Sequence, residues 1–186
     1  APATHGSALA QLGAGKLSRV KVLIGGVEPG LRVIDWLELG SEQGWSLNQA
    51  WLSYDCSSAG IYCFVLTGQA IDRAFYDHLN SYTGEPGSDG VVRVCAANMN
   101  YSLLRLHQEG ETLAVDFSQR RLRSALGVLP GRSHSGDDMG VIRSVTMANA
   151  AKHPTARWVL RCLQVKSMAD YQKACDDLEE LTAKTQ

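Results

Sequence analysis

The stretch Ile61-Tyr62-Cys63-Phe64-Val65-Leu66-Thr67 decides the fold class of this 186-residue chain. It is a short, β-rich apolar run bounded by Gly60 and Gly68. An apolar run of this length, without alternating polar residues, is typical of a strand that is buried on both faces. Such strands lie inside a sheet that helices cover on both sides, so the stretch predicts an α/β fold in which it forms a central strand.

The segments around this strand carry helix, strand and turn patterns in a mixed order. The sequence predicts helices over 31–39, 70–79 and 139–147, hairpin strands over 101–106 and 112–117, and a strand over 126–129. Residues 83–90 form a dense cluster of turn residues. A terminal amphipathic helix is predicted after Ser167, which forms a capping box with Asp170.

Composition and charge exclude several functional classes. Apolar residues make up 45% of the chain, enough for one good core in a single domain. The net charge is −1 with both signs interspersed, so no basic face for nucleic acid is indicated. The five cysteines are odd in number and form no CxxC pair, which argues against a zinc site or a disulfide framework. We interpret them as small buried apolar residues.

The apolar runs and the first residues of the chain bear on its origin. No apolar run approaches the roughly 20 residues needed to cross a bilayer, and no signal peptide precedes them. We therefore expect a soluble chain. It opens without an initiator Met and directly in loop-like residues, Ala1 to Ser7, which we interpret as the start of a fragment or a processed product.

The first candidate functional residue is Asp89, in the loop Gly87-Ser88-Asp89-Gly90-Val91-Val92. An aspartate that orients a catalytic histidine must reach inward from a loop at the end of a rigid strand, and a glycine-rich turn suits that position. The alternative is ordinary turn chemistry, for which Asp-Gly is common. The same acidic loop leaves a bound calcium ion open, although no ligand pattern supports one.

The second candidate is His134, in the loop Gly131-Arg132-Ser133-His134-Ser135-Gly136-Asp137-Asp138-Met139-Gly140. A general-base histidine must project from an anchored loop, so that one ring nitrogen meets the nucleophile and the other meets the acid. Alternatively, His134 is an exposed loop residue, and Asp137 and Asp138 place negative charge at a helix N-terminus. A metal site formed by these three residues matches no standard spacing.

The start of the chain and the order of its later motifs resemble a known family. Thr4-His5-Gly6-Ser7-Ala8-Leu9-Ala10 resembles the His-Gly-Ser stretch that lipases carry just after the strand following the nucleophile elbow. The central strand, the Ser-Asp-Gly-Val-Val loop, the strand over 126–129 and the His loop then follow in the order of the second half of a lipase-like α/β hydrolase. The chain also resembles the lipase effectors that bacteria deliver through type VI secretion.

The resemblance implies a fold and a mechanism. It implies the C-terminal part of a three-layer α/β-hydrolase fold, whose sheet is completed by a missing N-terminal segment. In this family the triad runs in the chain order Ser, Asp or Glu, His, so Asp89 is implied as the acid and His134 as the base. The elbow Gly-x-Ser-x-Gly occurs nowhere in the chain, and the neighbouring Ser133 and Ser135 are poorly placed to replace it. We therefore expect the nucleophile and the oxyanion hole elsewhere in the protein, and this chain alone to be inactive.

The resemblance also divides the chain into parts. Residues 17–60 are a candidate cap or lid, residues 61–150 carry the acid and the base, and residues 151–186 form C-terminal helices. Three tryptophans in the candidate lid are predicted to cover acyl chains, with core packing as the alternative: Trp36, Trp45 and Trp51. His5 is a candidate cleft residue, with a structural loop role as the alternative. The other histidines, His78, His107 and His153, are expected at the surface.

The implied partners follow from the implied reaction. They are a phospholipid or another ester, the N-terminal remainder of the hydrolase, and an immunity protein if the chain is a secreted effector acting at a membrane surface. A peptide or carbohydrate ester would use the same triad. The alternative from another class is a non-catalytic module that binds a protein or a lipid surface.

Overall fold

A computed structural model of the chain describes residues 2–10, 31–72 and 85–185 as a mixture of helices and strands. The elements are α1 (Leu31–Leu37), α2 (Glu42–Ser53), β1 (Phe64–Gly68), α3 (Val94–Ala97), β2 (Ser102–Glu109), β3 (Thr112–Gln119), β4 (Ala125–Leu129), α4 (Pro154–Leu163) and α5 (Met168–Ala183), with a 3₁₀ turn over Ser57–Ala59. No helix in these ranges is both long and apolar enough to span a membrane.

The predicted strand is confirmed as β1, which pairs in parallel with β4 in a sheet of two strands within the described residues. Its predicted central position in a larger sheet stays a prediction. Phe64 lies opposite Ala125 at the start of the pair and Gly68 lies opposite Leu129 at its end. The strand begins later than predicted because Ile61 is still held in the preceding turn, where its amide donates to the carbonyl of Cys56 at 3.0 Å. The two parallel strands bring both of their carboxyl ends to the same edge.

Apolar side chains cover both faces of the β1–β4 pair. Val65 on one face packs with buried side chains from the loop that carries Asp89, from α3 and from the segment just after α3: Val92, Ala96, Ala97 and Met99. Phe64 and Leu66 on the other face pack against a cluster supplied largely by α4 and α5. Burial on both faces is what the unbroken apolar run predicted.

Helix α5 also closes the outer edge of β4. The Thr182 hydroxyl accepts a hydrogen bond from the amide of Val128 at 3.0 Å and lies 3.2 Å from the carbonyl oxygen of Leu126. The Tyr171 hydroxyl donates to the Cys63 carbonyl at 2.8 Å and lies 3.3 Å from the Ala125 amide, so it joins the starts of the two strands. A further strand therefore cannot pair with β4 at Val128.

The predicted hairpin is confirmed and is longer than expected. Strands β2 and β3 pair antiparallel from Ser102 opposite Gln119 to Glu109 opposite Thr112. Gly110 at the turn has φ +63°, a conformation that glycine adopts without strain. Most hairpin side chains are exposed, although the alternating pattern is typical of strands with one buried face.

The terminal helix is confirmed and the helix over 139–147 is wrong. Ser167 caps α5, with its hydroxyl accepting from the Asp170 amide at 3.1 Å. Residues 139–150 form short turns interrupted by a bridge at Gly140 and by irregular backbone at 145–146, and short polar side chains here compete with the helical hydrogen bonds. Ser144 donates from its hydroxyl to the Gly140 carbonyl at 2.5 Å, and the Asn149 amide group donates to the Ser144 carbonyl at 2.9 Å.

Some predicted features fall wholly or partly outside the described residues. These are most of the helix over 70–79, which includes His78, and part of the candidate lid over 17–60.

Candidate active site

The acid loop, residues 87–92, forms a tight turn that carries Asp89. The Asp89 Oδ1 atom accepts hydrogen bonds from the amides of Val91 at 3.0 Å and Val92 at 2.8 Å, and its own amide donates to the Val92 carbonyl at 3.1 Å. Gly90 has φ +98°, which lets the chain reverse within one residue. The carboxylate is fully buried, so the loop fixes it in one orientation.

The base loop, residues 131–141, is closed by a short backbone ladder. The Ser133 amide donates to the Met139 carbonyl at 2.9 Å, and the Val141 amide donates to the Ser133 carbonyl at 2.8 Å. Gly140 is required here because a Cβ atom at this position would lie 2.4 Å from the Gly136 carbonyl oxygen. His134 directly follows Ser133, so these two hydrogen bonds anchor the loop that carries His134.

The end of β1 supports the base loop directly. A Cβ atom on Gly68 would lie 1.9 Å from the Arg132 carbonyl oxygen, so only glycine lets the two backbones approach this closely. The same carbonyl accepts a hydrogen bond from the Ala70 amide at 2.8 Å. The end of β1 therefore fixes the position of the loop that carries His134.

The structure brings Asp89 and His134 together through two contacts. The His134 Nδ1 atom lies 3.0 Å from Asp89 Oδ2, and the His134 amide donates to the Asp89 carbonyl at 2.7 Å. With Asp89 ionised, Nδ1 carries the proton and Nε2 keeps its lone pair. The His134 side chain is 33% exposed, and no group in the described part of the chain hydrogen-bonds to Nε2. This arrangement can accept a proton from an incoming hydroxyl.

Opposing influences act on the Asp89 carboxyl. Burial is the largest and by itself would raise its pKa. The hydrogen bond and charge of His134, with the Val92 and Val91 amides, outweigh burial and hold the pKa of Asp89 below its usual value. The carboxylate therefore stays charged and keeps the imidazole oriented.

A buried polar network behind the base loop was missed by the sequence analysis. His153 is buried, so its expected surface position is wrong. Its Nδ1 atom accepts from the Thr155 amide at 3.2 Å, capping α4, and its Nε2 atom lies 3.0 Å from the Ser144 hydroxyl. Arg132 Nη1 donates to the same hydroxyl at 3.0 Å and to the Asp138 carbonyl at 3.1 Å. The network ties the base loop to α4.

Burial and the positive charge of Arg132 lower the pKa of His153. The neutral ring matches its hydrogen bonds, since one nitrogen accepts from Thr155 and the other donates to Ser144. The signal available in the sequence was the His153-Pro154 pair, because proline is common at the first position of a helix, directly after the capping residue.

Ser133 is not placed as a nucleophile. Its side chain is fully buried, and its hydroxyl donates to the Ser135 carbonyl at 2.6 Å. This agrees with the expectation that Ser133 is poorly placed to replace the serine of a nucleophile elbow.

The candidate cleft residues lie in different surroundings. His5 and Trp45 line one cavity of about 290 Å³, whose lining includes neither Asp89 nor His134. His5 is also held structurally, with Nε2 3.1 Å from the Asn98 carbonyl and its ring edge-on to Tyr101 at 4.6 Å. A role of these residues in substrate binding stays a prediction.

The other two tryptophans differ in exposure. Trp36 is 48% exposed at the end of α1. Trp51 packs against the core cluster around Val65, and the guanidinium of Arg120 lies 5.4 Å from its ring centroid. Trp51 thus has the core packing that was the alternative to a lid.

Metal ligation has no basis in the described ranges 2–10, 31–72 and 85–185. They contain no group of three or more His, Cys, Asp or Glu side chains arranged to hold an ion.

Comparison with known proteins relates the chain to a phospholipase. No protein family and no curated protein matches it. Its fold matches phospholipase PlaB from Legionella pneumophila with a TM-score of 0.88 and 61% identity, over 100% of this chain and 39% of that one. The structure of PlaB in complex with thio-NAD matches with a TM-score of 0.88 and 60% identity, over 100% of this chain and 38% of that one. The expected lipase-like relationship is confirmed, and the chain spans about two fifths of the length of PlaB.

Proposed function

We propose that this chain is the acid- and base-bearing part of a phospholipase that cleaves carboxylic esters through an acyl-enzyme. The observation that carries the proposal is the 3.0 Å contact between His134 Nδ1 and the buried Asp89 carboxylate, on a histidine whose side chain stays 33% exposed. The similarity to PlaB supports the substrate class, because that protein is a phospholipase.

The reaction divides between this chain and the rest of the protein. A serine outside the chain attacks the ester carbonyl, and His134 Nε2 takes the serine proton. Asp89 holds the ring in the productive tautomer and stabilises the imidazolium that forms. His134 then gives the proton to the departing alcohol, and water hydrolyses the acyl-enzyme by the same base catalysis. The oxyanion donors come from the missing part.

The sheet geometry supports completion by a further segment. Thr182 occupies the outer edge of β4 at Val128, so additional strands would join at the other edge of β1, which pairs with no strand of the described residues. The carboxyl ends of parallel strands form the ligand site of open α/β sheets. Strands added beside β1 would end next to the base loop, where a nucleophile elbow must lie to meet His134.

The finer implications of the resemblance join this proposal as expectations. They are phospholipid rather than a peptide or carbohydrate ester as substrate, the N-terminal remainder of the hydrolase as a partner, and action at a membrane surface. Delivery through type VI secretion and an immunity protein rest on the resemblance alone.

A second candidate is a non-catalytic module that binds a protein or a lipid surface. The exposed apolar side chains of the hairpin favour it, among them Leu104, Leu113 and Phe117. Activity of the parent protein separates the two candidates.

The test is hydrolysis of phosphatidylcholine vesicles and of short and long p-nitrophenyl esters by the full-length parent protein. Asp89→Asn keeps an oxygen for the Val91 and Val92 amides but turns an NH₂ group toward His134, which forces the ring into the wrong tautomer. We expect kcat to fall by about 10³- to 10⁴-fold. His134→Ala should cost at least as much.

A matched control is His107→Ala, which removes an exposed histidine from the hairpin and should leave kcat unchanged. Circular dichroism must show that all three variants are folded. Undiminished hydrolysis by a folded Asp89→Asn or His134→Ala protein would remove that residue from the mechanism. Absence of activity in the unmodified parent would favour the binding module.

A further inference from the structure

Two cysteine thiols lie in contact just before β1. The Sγ atoms of Cys56 and Cys63 are 3.4 Å apart. A disulfide bond needs about 2.05 Å between its sulfurs, so they must approach by only about 1.4 Å, which is within the reach of side-chain rotation. Both residues are free thiols in this structure.

Hydrogen bonds to their carbonyl oxygens hold both cysteines in place. The Cys56 carbonyl accepts from the Ile61 amide at 3.0 Å and from the Ala59 amide at 3.2 Å. Between them, Gly60 turns the chain with φ +74°. The Cys63 carbonyl accepts from the Tyr171 hydroxyl of α5 at 2.8 Å.

The start of the turn is also braced. Asp55 Oδ1 accepts from the amides of Ser57 at 2.9 Å and Ser58 at 3.3 Å, and from the Ser57 hydroxyl at 2.5 Å. The contact between the two sulfurs is therefore a property of an ordered turn.

We propose that Cys56 and Cys63 are a redox-modifiable pair that closes to an intramolecular disulfide when the protein meets a disulfide oxidant such as oxidised glutathione. The bond would link the turn to the residue before β1 and close a ring from residue 56 to residue 63. The hydrogen bonds described above already hold the backbone of both cysteines with their sulfurs in contact.

The exchange proceeds in two balanced steps. The thiolate of Cys63, the more exposed of the two residues, attacks one sulfur of oxidised glutathione, and one glutathione thiolate leaves. The Cys56 thiolate then attacks the Cys63 sulfur of this mixed disulfide and releases the second glutathione. The protein loses two protons and two electrons, and the oxidant is reduced to two molecules of glutathione.

The environment of Cys63 makes this reaction slow at neutral pH. Burial, together with the hydrogen bond and charge of Cys56, raises the pKa of Cys63 to about 11. Little thiolate is present at neutral pH, so the rate should rise about tenfold for each pH unit between 7 and 9. Cys95 is exposed and should pick up a single glutathione first, which makes it an internal sign that the oxidant is active.

The experiment uses the reduced, folded full-length protein incubated with excess oxidised glutathione, then quenched in acid and alkylated under denaturing conditions. No Lys or Arg lies between Arg32 and Arg73, so trypsin releases Cys56 and Cys63 in one peptide, Val33 to Arg73, that contains no other cysteine. We expect this peptide to lose both alkyl groups and to be lighter than the dithiol peptide by two hydrogen atoms.

The oxidised protein should also melt a few degrees higher, as expected for closure of a short loop. This shift should be absent in Cys63→Ala and retained in Cys95→Ala. A peptide that stays doubly alkylated while Cys95 is glutathionylated would overturn the proposal. A stable mixed disulfide on Cys63, or disulfide formation only after denaturation, would do the same.

Discussion

The two pairs of strands in this chain use apolar residues in opposite ways. In the parallel pair, β4 buries Ala125, Val128 and Leu129 almost completely. In the antiparallel hairpin, Leu104 is 57% exposed, Leu113 64% and Phe117 61%. The difference lies in their neighbours, since helices and loops cover both faces of β1 and β4, whereas most of the hairpin has no cover in the described residues.

The register of the hairpin places its apolar side chains together. Pairing of Leu104 with Phe117 and of Leu106 with Val115 puts these four on one face, and Leu113 lies further along the same face. The other face carries the cross-strand pair Arg105 and Asp116. A contiguous exposed apolar face of this kind marks an interaction surface in soluble proteins. We infer that the parallel pair stabilises this chain and that the hairpin adds little to its stability.

The largest expected difference between the two pairs of strands comes from replacing one glycine in each pair by alanine. Gly68→Ala forces a Cβ atom into the Arg132 carbonyl, so the end of β1 and the base loop must separate. We expect a loss of more than about 4 kcal/mol of unfolding free energy, measured by chemical denaturation. Gly110→Ala in the hairpin meets no atom within 4 Å and should cost about 1 kcal/mol, from its positive φ alone. Equal losses at both positions would break the comparison.

The next largest difference is expected from replacing one leucine in each pair of strands by alanine. Leu129→Ala removes a fully buried side chain at the end of β4 and should cost about 3 kcal/mol. Leu113→Ala removes an exposed side chain and should change the unfolding free energy by less than about 0.5 kcal/mol. A large loss at Leu113 would show that the hairpin face is covered in the folded protein.

The hairpin face itself should be visible to a hydrophobic dye. Replacing Leu104 and Phe117 together by serine removes two facing apolar side chains and should lower the fluorescence of bound anilinonaphthalene sulfonate while leaving Tm within about 2 °C. The matched control is replacement of Arg105 and Asp116 by serine on the opposite face, which should leave the fluorescence unchanged. No change in the first variant would mean that the dye does not reach this face.

Local pattern was enough to predict the strands but not their exposure. The apolar run of β1 and the alternation in β2 and β3 follow from residue type and spacing. Whether an alternating strand is covered depends on what packs against it, and no residue of the hairpin encodes that. The helix predicted over 139–147 failed for a local reason, the competing side chains of Ser144 and Asn149.

The candidate site was predicted only in part. Asp89 and His134 are 45 residues apart in sequence, and their pairing was implied by resemblance to a family rather than by spacing. The bracing network of Arg132, Ser144 and His153 joins residues from a loop, a turn and a helix cap. No sequence periodicity connects such positions, so only the fold reveals them.

The smallest expected effect distinguishes the buried histidine that caps α4, His153, from an exposed histidine on the hairpin, His107. The folded protein holds the pKa of His153 below its usual value, by burial and by Arg132. The unfolded chain therefore binds a proton first as the pH falls. The stability from neutral His153 is complete above about pH 6.5 and is lost as the pH falls through the lowered pKa. Protonation would also remove the Nδ1 lone pair that caps α4.

We expect His153→Asn to reduce the fall in Tm between pH 7 and pH 5, because asparagine still caps the helix but does not titrate. His107→Asn removes an exposed histidine and serves as the control for replacing an imidazole ring that is not buried. If both variants keep the full acid sensitivity of the parent, it arises elsewhere, and the network below the base loop does not respond to pH. If only His153→Asn flattens the profile, the buried cap that supports the His134 loop is the acid-sensitive element.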